Sequence, residues 1–560
     1  MASRNCRAVG IAMTKSLCPF ALIAVALLAG PACPLSMDNL DVIWTIPGDT
    51  ALQHFGASIA SGDVDGDGIP DILVASDTFN ASDTGVTPWR GTLDIYSGNH
   101  VGESIPDVVL RSPVWKGSNY PNIACGDLNG DGYADVVMGD DMADSGCGVV
   151  TIWKGGNPID TAPAQIIRGR NVWWLNDAFG YAVSTGDVNG DGYNDLVVGA
   201  YFSAERPGGQ GMGRVYVFYG GPRGVDTIPD VILKGGHDGQ YEGFGIGVAA
   251  EGDFDHDGFH DIYVGAWQYG SDARGRMYVY YGGNPMDTSY DMAMSGEGPG
   301  HFLGFEKPGA LRAQGSFDYA VEGNELWPHG AYNPSDNCGK VYVHKGGRPM
   351  DSVPYLGIVG RMDTAELGYS AQSAGDVTGD GNDDLVGGAP YLPPCGSGGA
   401  YLWETGSHFD TVPEAWMTGE PNRKAGMRVC TAGDINGDGR SEFLVASYTD
   451  IPPAAVWVCK YTGSGIEEDK PRVLTSLRLD VAPNPARGAF SVRYEVTSPS
   501  RVSVGLYDVG GRLVRSLSEG YVASGRHEAR LPSGVLPAGV YFCTLDNGTQ
   551  RISKKVVLTE

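Results

Sequence analysis

Between residues 40 and 463 the chain is built from short apolar runs separated by punctuation rich in Gly, Asp and Pro. Most runs have the length of strands rather than helices. The pattern is clearest from 179 to 234. Phe179-Gly180 opens the run Tyr181-Ala182-Val183-Ser184-Thr185, and Asp195-Leu196-Val197-Val198-Gly199-Ala200 follows. Then come Arg214-Val215-Tyr216-Val217-Phe218-Tyr219 and Asp230-Val231-Ile232-Leu233-Lys234. These predict four strands, A to D, joined by tight turns. Phe55-Gly56 and Phe244-Gly245 open other copies of the same unit. Gly-Gly-Asn-Pro-Ile-Asp-Thr at 155–161, Gly-Gly-Asn-Pro-Met-Asp-Thr at 282–288 and Gly-Gly-Arg-Pro-Met-Asp-Ser at 346–352 mark the turns from C to D. Gly and Pro there set the turn geometry.

The most regular feature lies between strands A and B. Asp63-Val64-Asp65-Gly66-Asp67-Gly68-Ile69-Pro70-Asp71 returns in register at 127–135, 187–195, 253–261, 376–384 and 434–442. The starts are 64, 60, 66, 123 and 58 residues apart, and the 123-residue gap spans two periods. A decayed copy is therefore expected near 316. Gly315-Ser316-Phe317-Asp318 and the stretch from Leu326 through Trp327 to Tyr332 fill that place, without the Asp ladder and so without a cation. Seven repeats of four strands predict an all-β fold, a seven-bladed β-propeller over 40–463. The last repeat stops after its third strand, Ala455 to Tyr461. Asp41-Val42-Ile43-Trp44-Thr45 is predicted to complete it, closing the ring and removing an exposed sheet edge.

Carboxylates at positions 1, 3 and 5 of a tight turn converge on one point, and a hard cation such as Ca²⁺ takes six to eight oxygens. Asp63, Asp65 and Asp67 are the first such set, with the carbonyl of Ile69 and the carboxylate of Asp71 closing the cage. The matching sets are Asp127, Asn129, Asp131, Tyr133 and Asp135; Asp187, Asn189, Asp191, Tyr193 and Asp195; and Asp253, Asp255, Asp257, Phe259 and Asp261. Two more are Asp376, Thr378, Asp380, Asn382 and Asp384, and Asp434, Asn436, Asp438, Arg440 and Glu442. The last acid stands at position 9 with strands on both sides, which separates these loops from the EF-hand, whose last ligand is at position 12 between helices. About six Ca²⁺ sites of structural role are expected, coupling the cation to folding.

The formal charge of −28 argues against a nucleic-acid partner. Six Ca²⁺ would contribute 6 × 2 = +12 and leave about −16. At the N-terminus, Arg4, Arg7 and Lys15 precede the apolar run Phe20 to Ala29, and Gly30-Pro31-Ala32 offers a small-residue cleavage site. Residues 1–32 read as a signal peptide. Cys33 follows, with Gly30 where a lipoprotein signal would place Leu. No later run is long enough to span a bilayer. Export permits disulfides, and Cys125 with Cys147 and Cys430 with Cys459 are the candidate cross-strand pairs, free thiols being the alternative.

Phe-Gly, the Asp-x-Asp-x-Asp-Gly-x-x-Asp loop and the apolar-Gly-Ala strand resemble the FG-GAP repeats of the integrin α-chain β-propeller. The resemblance covers about 40–463 and implies seven blades with calcium in the A–B hairpins. Repeats six and seven depart from it, with Leu367-Gly368 and Ala425-Gly426 in place of Phe-Gly.

Residues 464–476 form a polar linker, and from 477 to 560 the composition changes. Runs at 490–496, 502–508, 513–517, 539–542 and 552–558 predict a small immunoglobulin-like sandwich. Pro483-Asn484-Pro485-Ala486-Arg487-Gly488, Tyr507-Asp508-Val509-Gly510-Gly511-Arg512, Pro537-Ala538-Gly539-Val540-Tyr541-Phe542 and Lys554-Lys555-Val556-Val557-Leu558 resemble the type A C-terminal sorting domain of bacterial type IX secretion, and the related FlgD-like fold. The resemblance implies an outer-membrane secretion machinery as partner, and release or attachment at the cell surface.

In a four-stranded meander the A–B loops and C–D turns share one face, and the B–C and D–A loops share the other. Tyr201, Trp267, Tyr332, Tyr391 and Tyr448 begin B–C loops, with Trp89, Trp173, Trp174, Tyr241 and Tyr269 nearby. Such a face could stack on sugars or hold a protein; packing between blades is the plainer reading. There is no HExxH, GxSxG or phosphate loop, and the histidines are scattered. The sequence therefore favours a secreted or surface calcium-binding propeller for adhesion or ligand binding. A polysaccharide-acting enzyme with its site on that second face, and a structural envelope protein, are the alternatives.

Overall fold

The computed structural model describes residues between 36 and 463 and between 477 and 559 apart from short stretches, the longest of them 79–91, 115–121, 170–176 and 328–336. The signal segment lies outside the described residues. Two compact units divide the chain, at residues 465 and 466. Among the described residues no helix is long and apolar enough to cross a membrane.

In the first unit the described strands form seven antiparallel sheets in the order A, B, C, D. The third is Phe179–Gly186, Asp195–Ala200, Arg214–Phe218 and Val231–Leu233. The first strand of each sheet lies beside those of its neighbours, and Ala425–Gly433 of the seventh lies beside Gln53–Gly62 of the first, so the ring is closed. Strand B is covered on both faces, which is why its run is apolar throughout: all six residues of Asp195–Ala200 are buried. The core therefore lies between blades. Val197 and Val217 of blade 3 share a cluster with Val248 and Val264 of blade 4.

This geometry explains the paired glycines. A Cβ on Gly199 would lie 2.0 Å from the carbonyl oxygen of Gly245, and the seams at Gly139 with Gly180, Gly265 with Gly304 and Gly388 with Gly426 repeat that approach at 2.0 Å. Gly245 itself has φ +87°, a conformation natural only to glycine. Its neighbour Phe244 is fully buried and meets Tyr278 and Tyr280 edge-on at 5.5 and 6.1 Å.

Ring closure follows the expected route. Leu40–Pro47 pairs with Ala455–Tyr461, placing Trp44 opposite Val458 and Ile46 opposite Val456. An unforeseen strand, Ser36–Asp38, first adds to the edge of blade 6 along Ala415–Thr418. Asn39 then turns the chain into blade 7 with φ 55°.

The fifth repeat corrects the expectation. Its strands are Gly309–Leu311, Tyr319–Asn324, Lys340–Lys345 and Leu356–Val359, so strand B ends before Leu326 and Trp327 lies in the turn after it. Tyr332 lies outside the described residues. The A–B connection, Arg312 to Tyr319, starts four residues before the expected position at 316 and is one residue shorter than the acidic loops. Arg312 takes the place of the first Asp: its carbonyl accepts from Asp383 N at 2.9 Å, as that of Asp127 accepts from Asn194 N at 2.9 Å. The opening pair of this blade is Leu303-Gly304, whose glycine meets Gly265.

The expected cysteine pairs are not formed; Cys125, Cys147, Cys430 and Cys459 are free thiols. Cys430 pairs with Leu444 and Cys459 with Phe443, on opposite sides of strand Glu442–Ser447. Two strand spacings, ~9.6 Å, exceed the ~7 Å limit for a disulfide.

The second unit is a two-sheet sandwich of Leu477–Ala482, Phe490–Val496 and Gly525–Leu531 against Leu513–Val522, Ser500–Asp508, Gly539–Asp546 and Arg551–Leu558. Val492, Tyr494, Leu506 and Cys543 form its core. The strand Gly525–Leu531 escaped the sequence reading because His527, Glu528 and Arg530 mask its alternation.

Candidate cation loops and the opposite face

Each acidic loop is wound around its first residue. Asp63 Oδ1 accepts from Gly66 N and Asp67 N at 2.7 and 3.1 Å, and its Oδ2 accepts from Gly68 N at 2.9 Å. Asp127, Asp376 and Asp434 accept in the same pattern, and Asp187 and Asp253 take the latter two of these bonds. The fifth position accepts from the backbone N–H of the seventh: Ile69 to Asp67, Tyr133 to Asp131, Tyr193 to Asp191, Phe259 to Asp257, Asn382 to Asp380 and Arg440 to Asp438, all within 3.1 Å. Where carboxylates gather, they are those of positions 1, 3 and 9 rather than 1, 3 and 5. In the first and fourth loops, Asp63, Asp65 and Asp71, and Asp253, Asp255 and Asp261, each bring an oxygen within 4.8 Å of the others. The other four loops place Asn129, Asn189, Thr378 or Asn436 at the third position.

Loops are also coupled around the ring. The ring of Tyr133 lies over Gly66, where a Cβ would be 2.4 Å from Cε1, and Tyr193 and Phe259 cover Gly130 and Gly190 in the same way at 2.5 Å. The fourth loop carries His256 at this position, with φ 59°.

Position 9 is the buried member. Asp71 accepts from Val64 N at 2.9 Å and Gly98 N at 3.1 Å; Asp195 from Val188 N at 2.9 Å and Gly220 N at 2.8 Å; Asp261 from Phe254 N at 2.6 Å and Gly282 N at 2.8 Å. Burial, only partly offset by these N–H groups, raises the carboxyls: Asp71 and Asp135 to about 6, Asp195, Asp384 and Glu442 to about 7, and Asp261 to about 8. Asp255 is buried and neither of its oxygens takes a well-formed hydrogen bond. Burial and the charge of Asp257 push it to about 6, against the opposing Arg348. Buried carboxylates of this kind fit a hard divalent cation, which offers the charge the site lacks. Two loops already hold a protein cation. Arg348 Nη1, from the C–D turn of blade 5, lies 2.6 Å from Asp255 Oδ2 and 2.9 Å from Asp257 Oδ2, and Lys460 Nζ contacts Asp438.

At the other end of the strands, the aromatic residues divide between packing and display. Tyr201 is half-buried, 4.6 Å from the Tyr181 ring and 4.3 Å from Phe202. Phe202, 38% exposed, stacks on Tyr241 at 5.5 Å. Trp267 is wedged against Phe302 and Phe305 at 5.2 and 5.3 Å. Tyr391 lies under Lys424 Nζ at 5.0 Å. Arg276 covers Tyr269 at 3.6 Å. Tyr448, Trp89, Trp173 and Trp174 lie outside the described residues. Tyr181, Phe202, Phe302 and Phe305 were not singled out from the sequence. Phe202 was detectable as the neighbour of Tyr201, whereas Tyr181 reads as an ordinary strand residue. Glu297, Trp327 and Lys340 form a further polar group, with Glu297 accepting from Trp327 Nε1 at 2.8 Å and Lys340 Nζ at 2.6 Å.

Comparison with known proteins places these features. The FG-GAP repeat matches residues 179–218, the FG-GAP-like repeat matches 63–138, 127–198 and 376–445, and the secretion system C-terminal sorting domain matches 480–559. The chain is 31% identical to integrin alpha pat-2 of Caenorhabditis elegans over 239 residues, 39% of this chain and 18% of that protein. It is 34% identical to integrin alpha-5 of Xenopus laevis over 164 residues, 29% of this chain and 15% of that one. It thus spans less than a fifth of the length of these relatives. Among solved structures, an exotype rhamnogalacturonan lyase, YesX, aligns over 76% of each chain at 13% identity with a TM-score of 0.39. With its ring of acidic-loop repeats and its terminal sandwich, the chain is a secreted or cell-surface FG-GAP repeat protein that carries a secretion system C-terminal sorting domain.

Proposed function

We propose that the ring is a calcium-stapled binding protein of the cell exterior, with Ca²⁺ in its six acidic loops and a ligand on the opposite face. The cations would be held by the first, third, fifth and ninth side chains and the seventh carbonyl of each loop, and would tie strand A to strand B in six blades. They supply charge neutralisation at buried carboxyls rather than chemistry. The observation that carries the reading is the division between the two ends. One end holds every acidic loop, and the other gathers Tyr181, Tyr201, Phe202 and Tyr241 into one cluster with Phe202 exposed. Rings of this kind stack on sugar faces, which makes a glycan the favoured ligand. The terminal domain would deliver the ring through the outer-membrane secretion machinery.

A glycan array probed with the intact chain, with Ca²⁺ and with chelator, tests this. Calcium-dependent binding that is lost in Phe202→Ala, at unchanged melting temperature, is the expected result. A folded, calcium-loaded protein that binds nothing on the array would refute it. Sustained release of sugar from a polysaccharide would replace the binding protein with an enzyme.

A further inference from the structure

At the centre of the ring, where the first strands of the blades meet, a cavity of about 160 Å³ opens among residues from the beginnings of those strands. That places it at the end away from the acidic loops. Its lining contains Lys307 and Arg428 and no acidic residue, in a chain with 67 acidic and 39 basic side chains. Both cations are half-buried. Arg428 is held by its own backbone, Nη1 donating to Met427 O at 2.9 Å, and its guanidinium lies 5.9 Å from the Tyr369 ring centre. Glu251 lies near the loop end of its strand, where its carboxylate accepts from Ser184 Oγ at 3.4 Å.

Two amides complete the wall. Gln372 Nε2 donates to the carbonyls of Lys307 and Pro308 at 3.1 and 2.9 Å, and Asn122 Nδ2 donates to Tyr181 O. Both N–H groups of Gln372 and one of Asn122 are thus spent on backbone, which leaves the amide oxygens as the acceptors of this wall. Tyr181 and Tyr369 supply aromatic surface beside them. The cavity is smaller than the ~300–1,000 Å³ of pockets that enclose whole small molecules, so it takes one terminal group of a larger ligand.

We infer that this axial cavity binds the uronic acid end of an acidic glycan. The carboxylate pairs with Arg428 and Lys307, hydroxyls donate to Gln372 and Asn122, and the sugar face lies against the tyrosines. The acceptor amides and rings favour a hydroxylated sugar acid over an aspartate or glutamate side chain, which would need the cations alone. This rests on the reading of the non-loop face as a glycan-binding face, and it names the sugar.

Calorimetric titration of the calcium-loaded full chain with galacturonate or glucuronate oligosaccharides, their neutral hexose counterparts and polyglutamate decides the matter. Acidic oligosaccharides should bind, weaken with added salt, and lose about tenfold or more in Arg428→Gln, the loss expected when a charge-assisted pair is removed. Arg428→Lys should restore part of the affinity, and Lys307→Gln should lower it without moving the melting temperature. Neutral oligosaccharides binding as well as acidic ones, with Arg428→Gln unchanged, would overturn the inference while leaving the glycan-binding face intact. Polyglutamate binding as tightly as the uronates would also overturn it, in favour of a peptide carboxylate. Binding of no glycan of either kind overturns both.

Discussion

The seam between blades 3 and 4 offers a sharp test of why these repeats require paired glycines. In Gly199→Ala the new Cβ would start 2.0 Å from Gly245 O and 3.1 Å from Gly245 C. Contacts under 3.0 Å do not occur, so one strand must move by ~1 Å or more at a place where both partners are backbone. Gly245 has φ +87° and follows the fully buried Phe244, so shifting it also disturbs that packed ring. Separation would also open the cluster that Val197, Val217, Val248 and Val264 share. Overpacking of this kind costs ~1–3 kcal/mol, and the upper end applies where backbone rather than a side chain must yield. With an unfolding entropy of ~2.1 cal/mol/K per residue, a ring of this size has ~0.9 kcal/mol/K, so ~3 kcal/mol lowers the melting temperature by roughly 3 °C if the ring melts as one unit. Differential scanning calorimetry with Ca²⁺ present measures it. Blade 7 provides the internal control, because the chain already carries Ala446 at the corresponding position, facing Gly56. Ala446→Gly should cost no more than the ~0.5–1 kcal/mol of a strand glycine. A Gly199→Ala protein that melts within measurement error of the wild type would refute the seam argument.

Other consequences follow from the same structure. In chelator, the ring should lose stability as pH rises from about 4 to about 8, and excess Ca²⁺ should abolish that slope in a fluorimetric melt. The sign follows from position 9: folded values of about 6 to 8 lie above the ordinary carboxyl value, so the apo folded state binds more protons than the unfolded state across that window, and its stability is lost as pH climbs through the folded values. His344 gives the opposite limb. Burial lowers it to about 4, so the stability it contributes is present above about 6.5 and is lost as pH falls through 4; His344→Gln should flatten the melting-temperature curve between those limits. Arg348→Ala should tighten cation binding in the fourth loop by up to about fivefold, read by terbium luminescence, because it removes the guanidinium competing for Asp255 and Asp257. Unchanged luminescence titrations would show that the guanidinium yields without cost.

Much of the fold is legible in one dimension because each blade repeats a local rule. The turn at Asp63 to Asp71 is determined by a carboxylate collecting the N–H groups three to five residues on, an interaction that needs no distant partner. The apolar run of Asp195–Ala200 announces a strand covered on both faces, and the missing last strand of blade 7 could be matched with Asp41 to Thr45 by counting. Blade 5 was misplaced because a one-residue shortening and the exchange of Asp for Arg312 removed the loop that marks the boundary. The cysteine pairs failed because spacing along the chain does not reveal the strand that stands between them.

The repeat, the acidic loops and the sorting domain can be read along the chain because they are products of contacts within a few tens of residues. Which glycines touch, the reach of Arg348 into the loop of the preceding blade, and the meeting of Lys307 and Arg428 at one cavity emerge only in three dimensions. Those partners belong to different blades, and closure of the ring, rather than proximity in sequence, brings them together.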